Sequence, residues 1–152
     1  MEALSFFKLQ AKNFLRDWKT RYRDEEGLWQ YRSRFIDVDR FFMEAGYGDW
    51  GDEEPSLMRA QHFVALICEL DSWSELINLP EDELEFMKYV WENQNRCSFD
   101  DWADSPQREL MDYMGVDDPE TKRYLYDELK KIRETEFVVT AYRGYLIDKP
   151  KA

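Results

Sequence analysis

His62 is the only histidine in the chain, and the only thiols are Cys68 and Cys97. A metal centre built from several histidines is therefore excluded, and any catalytic dyad that needs an imidazole must use His62. No His-Glu-x-x-His or Glu-x-x-His spacing surrounds it. His62 and Cys68 are six positions apart, which on one helix sets them on different faces and disfavours a Cys-His pair. His62 reads as a boundary histidine and Cys68, on an apolar stripe, as a buried free thiol. Gly-x-Gly-x-x-Gly, P-loop, Gly-x-Ser-x-Gly and Cys-x-x-Cys motifs are all missing. Two thiols without a closely spaced partner suit a reduced, cytoplasmic protein better than a disulfide scaffold.

Carboxylates are the abundant reactive groups. Asp49, Asp52, Glu53 and Glu54 crowd the loop GYGDWGDEEP around Trp50, and Asp100, Asp101 and Asp104 surround Trp102. An EF-hand would need acids at alternating positions, Gly at the sixth and Glu at the twelfth, and that pattern is missing. A glycosidase-type carboxylate pair is not distinguishable here, because residues 41–120 hold 21 acidic side chains against 4 basic ones. The reading is a pair of solvated acidic corners, with no metal and no cofactor.

The total charge of −12 is unevenly spread: +2 over residues 1–40, −17 over 41–120 and +3 over 121–152. A strongly negative middle repels phosphate backbones, so direct nucleic-acid binding is disfavoured and would have to use the two terminal segments alone. Within the first of these, Lys8, Lys12 and Arg16 form a basic line at intervals of four. It reads as a solvated helix flank, with an anion- or partner-binding edge as the alternative.

These groups must be positioned by helices. Ser56 can cap a helix whose apolar face is Leu57, Ala60, Phe63, Val64, Ile67 and Cys68, and Ser72 can cap a second, with Trp73 at its first position and Leu76, Ile77 and Leu79 inside. Upstream, Leu4, Phe7, Ala11, Phe14 and Trp18 mark an amphipathic helix over 3–21. A link at Arg23–Glu26, with Asp24 as a cap, precedes a second stripe at Leu28, Tyr31, Phe35, Val38, Phe42 and Ala45. The pair predicts an antiparallel helical hairpin over 1–46, with Gly27 and Asp37–Asp39 able to split its second helix. Pro80 opens a helix with Leu84, Met87, Val90 and Trp91 inside, fading at Asn93–Asn95. Ser105-Pro106 opens another, with Leu110, Met111 and Met114 inside, and Asp118-Pro119 opens the last, with Leu125, Leu129 and Ile132 inside. Phe137–Tyr142 and Tyr145–Ile147 have strand character about Arg143-Gly144 and must pack on the helices or pair with another chain.

The expected fold is all-α: one domain over 1–152, a compact bundle of about six or seven helices with tight corners. It divides into the hairpin 1–46, a helical core 56–134 and an extended tail 136–148 that forms a short C-terminal β-hairpin or strand. An aromatic content of 16% implies an aromatic core, an aromatic surface site, or both. Tyr47–Trp50, Leu70–Trp73 and Phe99–Trp102 share one pattern: a large apolar residue, a spacer, a capping side chain and Trp. It suits corners in which apolar neighbours clamp a capped turn, so these tryptophans read first as core pins. No window approaches the roughly 20 apolar residues of a membrane span, and the first residues do not read as a secretion signal.

Lys8, Gln10, Ala11, Lys12, Ala60, Gln61, Glu69, Ser72 and Trp73 carry a resemblance. In FKLQAKNFLRDW and SLMRAQHFVALICELDSWSEL the chain resembles a helical segment at the front of ankyrin-repeat and glyoxalase-related bacterial proteins. It departs at Leu70-Asp71, where those segments have Gly and an aromatic residue, and in a longer insertion between the two helices. The resemblance implies a helical module and no particular activity.

The leading expectation is a non-enzymatic acidic protein-binding module that docks on a basic, nucleic-acid-binding surface of a protein partner, in the manner of an inhibitor, antitoxin, immunity protein or phage antagonist. Its contacts would be Asp49, Trp50, Asp52, Glu53, Glu54, Asp100, Asp101, Trp102 and Asp104. The alternatives are an accessory helical subunit that uses its C-terminal strand for assembly, and an enzyme with a carboxylate site in either acidic corner.

Overall fold

The computed structural model describes residues 2–45, 53–94, 114–135 and 144–147. In chain order the described elements are α1 (Ala3–Lys19), β1 (Tyr22–Arg23), β2 (Trp29–Gln30), α2 (Val38–Glu44), α3 (Leu57–Ile67), α4 (Trp73–Ile77), α5 (Glu81–Glu92) and α6 (Pro119–Thr135). The chain is mostly helical, with one short antiparallel hairpin among the described residues. The helix expected to start at Ser105-Pro106, together with Cys97 and Phe137–Tyr142, lies outside the described residues.

α1 is the central helix. Phe7, Ala11, Phe14 and Trp18, spaced by four, three, four and fully buried, form the face against which α3 and α5 pack. Phe14 meets Phe41 and Phe42 of α2 at 5.5 and 5.9 Å between ring centroids, and Phe63 of α3 at 5.4 Å. Trp18 meets Phe42 and Phe63 at 5.6 Å each. At the other end of the helix Phe7 stands edge-on to Trp91 of α5 at 5.8 Å. Edge-to-face rings add about 0.5–1.5 kcal/mol per pair beyond the area they bury. Much of the aromatic content is thus core.

Local signals define the helices that follow. Ser56 Oγ accepts the Arg59 N–H at 3.2 Å to cap α3, and Ser72 Oγ accepts the Glu75 N–H at 3.2 Å to cap α4. α3 stops in a Schellman turn: the Glu69 N–H donates to the Leu66 carbonyl and the Leu70 N–H to the Ala65 carbonyl, with Glu69 left-handed at φ +61°. Leu84, Met87, Val90 and Trp91 are buried on α5, as their spacing predicts. α6 packs on α5, with Tyr126 stacked on Phe86 at 4.5 Å. Lys122 pairs with Glu83 at 2.5 Å and Arg123 with Glu85 at 2.6 Å across the same seam. Downstream of α2, the expected core positions Leu57, in the first turn of α3, and Met114, which precedes left-handed Gly115, are open.

The helical hairpin over 1–46 does not form. Residues 20–37 instead make the β1–β2 hairpin and an extended run, and α2 holds only seven residues. Two carboxylates are responsible. Asp24 Oδ1 accepts the Glu26 and Leu28 N–H groups at 2.9 Å each and its Oδ2 accepts the Gln30 side-chain amide, while Gly27 takes φ +79°. Asp24 therefore organises a β-turn rather than capping a helix. Asp17, fully buried on α1, accepts the N–H groups of Arg34, Phe35 and Ile36 at 3.0, 2.8 and 2.8 Å. Three donors spent on one side chain cannot serve an α-helical ladder. The apolar spacing of 28–45 misleads accordingly: Leu28 is 57% exposed, while Ile36, off the stripe, is fully buried.

The described tail residues seat on that extended run. Ile36 and Leu146 form an antiparallel bridge, the Asp37 N–H donates to the Tyr145 carbonyl at 2.6 Å and the Ile147 N–H to the Phe35 carbonyl at 3.0 Å. The Gln94 side chain accepts the Tyr145 N–H at 2.9 Å, and the Tyr145 hydroxyl donates to Glu44 at 2.8 Å. A Cβ on Gly144 would stand 2.5 Å from the Gln94 carbonyl oxygen, so only glycine fits the slot. The two-stranded hairpin thus lies between α1 and α2, and the tail contributes a single bridge at its described end.

Candidate interaction surfaces

The candidate catalytic groups are not brought together. Cys68 caps the C-terminal end of α3 and is 1% exposed, and burial, with Glu69 beside it, pushes its thiol well above the ordinary value. A thiol held protonated and shielded is a poor nucleophile. His62 is half-buried with its ring tilted against Phe63 at 6.0 Å. Among the described residues no three His, Cys, Asp or Glu side chains converge as metal ligands.

Of the expected docking residues, Asp49, Trp50, Asp52, Asp100, Asp101, Trp102 and Asp104 lie outside the described residues. Glu53 and Glu54 are described and exposed, in the stretch that leads into the Ser56 cap, with Arg59 of α3 3.6 Å from Glu53. The Leu70–Trp73 corner is the one described member of the recurrent pattern. There Ser72 caps α4 while Leu70 and Trp73 pack, half-buried, against the core.

Several acids of the negative middle are structural. The Arg123 guanidinium beside Glu85 holds its carboxyl below the ordinary range, and Glu83 raises Lys122. Glu44 is pushed up by burial, and the hydrogen bonds from Arg40 and Tyr145 outweigh that and leave it lowered. Asp39 is raised, first by burial and then by the neighbouring Asp37 carboxylate.

A second surface joins cations to rings. The Arg21 and Arg23 guanidinium carbons each lie 4.3 Å from the Trp29 ring centroid, and that of Arg32 lies 4.8 Å from Tyr22. Arg16 of α1 and Arg34 approach the Phe35 ring at 5.4 and 5.8 Å. The hairpin register pairs Arg23 with Trp29 and Tyr22 with Gln30, and Asp17 fixes the backbone that carries Arg34 and Phe35. Five arginines and three aromatic rings are thus ordered across α1, the hairpin and the extended run. The helical reading of 28–45 hid this surface. The signal that reveals it is Tyr22-Arg23 and Trp29-Gln30 on either side of an Asp–Gly turn.

Compared with known proteins, the chain matches no protein-family model, no curated protein and no solved structure.

Proposed function

We propose that the protein is a non-enzymatic binding module whose acidic middle docks on a basic surface of a protein partner, of the kind that otherwise holds nucleic acid. The observation that carries this reading is charge segregation: −17 over residues 41–120, between terminal segments of +2 and +3. Opposed fields of that size speed association and fix orientation, and aromatic side chains among the acids supply anchors. Glu53 and Glu54 stand exposed at the entrance to α3, and Trp50 adjoins them in sequence. Inhibitors, antitoxins, immunity proteins and phage antagonists of nucleases share this physical requirement. The buried thiol of Cys68 weighs against an enzyme that uses it as a nucleophile.

The accessory-subunit reading needs a strand free for another chain. Residues 144–147 are engaged with residues 35–37 of their own chain, which favours the docking reading. Affinity capture from the native cell, followed by salt titration of the strongest complex, tests it. The expected partner is basic, and its complex weakens steadily as salt rises. A strongest partner that is acidic, or a salt-indifferent complex, would sink the proposal.

A further inference from the structure

We propose that the outer face of α1 is a self-association surface that takes the acidic α4 corner of a second copy of this chain, head to tail. It shares no residue with the acidic docking surface and stands independently of that reading. Lys8, Lys12, Arg16 and Lys19 are exposed along this face over about 16 Å, and Leu9, 40% exposed, lies among them. The nearby acids do not offset these charges. Glu2 stands at the N-cap of the helix, and Asp17 is buried and engaged with residues 34–36.

The row disfavours its own helix and has no partner within it. Lys8, Lys12 and Arg16 repeat at intervals of four, which sets like charges side by side, and no acid stands three or four positions from any of the four cations. Other described helices pair their cations locally: Arg40 with Glu44, Arg123 with Asp127 and Lys131 with Glu128. Among the described residues no ion pair engages Lys8, Lys12, Arg16 or Lys19; Arg16 lies over the Phe35 ring.

Charge complementarity names the occupant. Residues 60–87 hold seven acids and no Lys or Arg. Glu69, Asp71, Glu75 and Glu81 are exposed about α4, beside half-buried Trp73, whereas Glu83 and Glu85 are paired with Lys122 and Arg123. Face and corner lie on different elements of one chain, so the contact is heterologous, and each copy can join two neighbours. Repulsion between copies of net charge −12 is screened beyond a Debye length of about 10 Å at 0.1 M salt, while the contact itself is closer than that.

Sedimentation velocity of the full-length chain over a concentration series tests this. At about 0.1 M salt the average mass should rise with concentration above that of the monomer, and at about 1 M, with a Debye length of about 3 Å, it should return to it. Neutralising the face, by Lys8→Gln, Lys12→Gln and Lys19→Gln, should raise the self-dissociation constant about tenfold or more, and so should neutralising the corner, by Asp71→Asn, Glu75→Gln and Glu81→Gln. Mixed, the two neutralised chains should form a one-to-one dimer that grows no further, because one intact face meets one intact corner. Circular dichroism checks each variant's fold; if a triple variant loses it, Lys12→Gln and Glu75→Gln alone carry the same expectation at smaller size. A chain that stays monomeric at about 0.1 M salt, self-association that neither folded variant weakens, or neutralised chains that do not combine would overturn the proposal. The first of these, joined to binding of poly-glutamate by the wild-type chain, would assign the α1 face to a foreign acidic protein instead.

Discussion

Asp17 decides the course of the chain between α1 and α2. Its carboxylate gathers three backbone N–H groups from residues 34–36, and the Thr20 hydroxyl accepts a fourth, from Arg32, at 2.8 Å. Asp17→Ala leaves those three donors without their acceptor, at about 1 kcal/mol or more each, so the expected loss in urea unfolding is about 3 kcal/mol. Asp17→Asn, which keeps one acceptor oxygen, should lose less. A loss under about 1 kcal/mol for Asp17→Ala would show that the extended run holds without it. Glu69 poses the opposite case, a non-glycine residue in the left-handed position of a Schellman turn. Glu69→Gly relieves the Cβ cost and should raise stability by about 0.5–1 kcal/mol, visible as a higher midpoint in the same titration. Gly144→Ala should destabilise instead, because its Cβ would meet the Gln94 backbone and dislodge the tail.

At the scale of elements, the α5–α6 seam sets the response to pH. Glu85, lowered by Arg123, and Asp118, lowered by the Thr121 hydroxyl and N–H, are both acids whose folded-state affinity for protons is reduced. Such groups stabilise the fold above their ordinary values of 4.5 and 3.8, and that contribution disappears as pH falls through the lowered folded values. Asp39, raised by burial, has the opposite sign and gains stability on protonation. Lys122, raised by Glu83, stabilises the fold below its ordinary value of 10.5 and loses that as pH rises through the higher folded value. Thermal unfolding should therefore weaken at both acid and alkaline extremes. Glu85→Gln should flatten the acid limb, and an acid limb identical in that variant would remove Glu85 from the account.

The legible elements are those whose signals are local. Ser56, Ser72 and Asp118 cap helix starts by accepting the N–H three residues on, Pro80 stands just before α5, and the buried spacing on α1, α3 and α5 follows from one-helix geometry. The hairpin 22–30 carries a local signal, the turn from Asp24 to Gly27, which the apolar spacing of 28–45 masks; the extended run 31–37 is not legible because its partners are remote in sequence. Asp17 acts across 17 to 19 positions, and Gly144–Ile147 across more than a hundred. The acidic corners were legible only as charge. The arginine-ring surface required the hairpin register, which a helical reading of the same stretch dissolves.

At the scale of the whole molecule, the aromatic residues of α1, α2, α3 and α5 close the core. The negative middle is then divided between structural pairs, such as Glu83–Lys122 and Glu85–Arg123, and exposed acids, such as Glu53 and Glu54. The central claim is that the exposed share serves docking rather than folding. It is tested most directly by charge reversal at Asp49, Asp52, Glu53 and Glu54, and separately at Asp100, Asp101 and Asp104, with partner affinity and thermal midpoint measured on the same samples. The account predicts a loss of affinity of at least tenfold, about 1.4 kcal/mol, in one set or both, with the midpoint nearly unchanged. Full affinity in both reversed sets would contradict it.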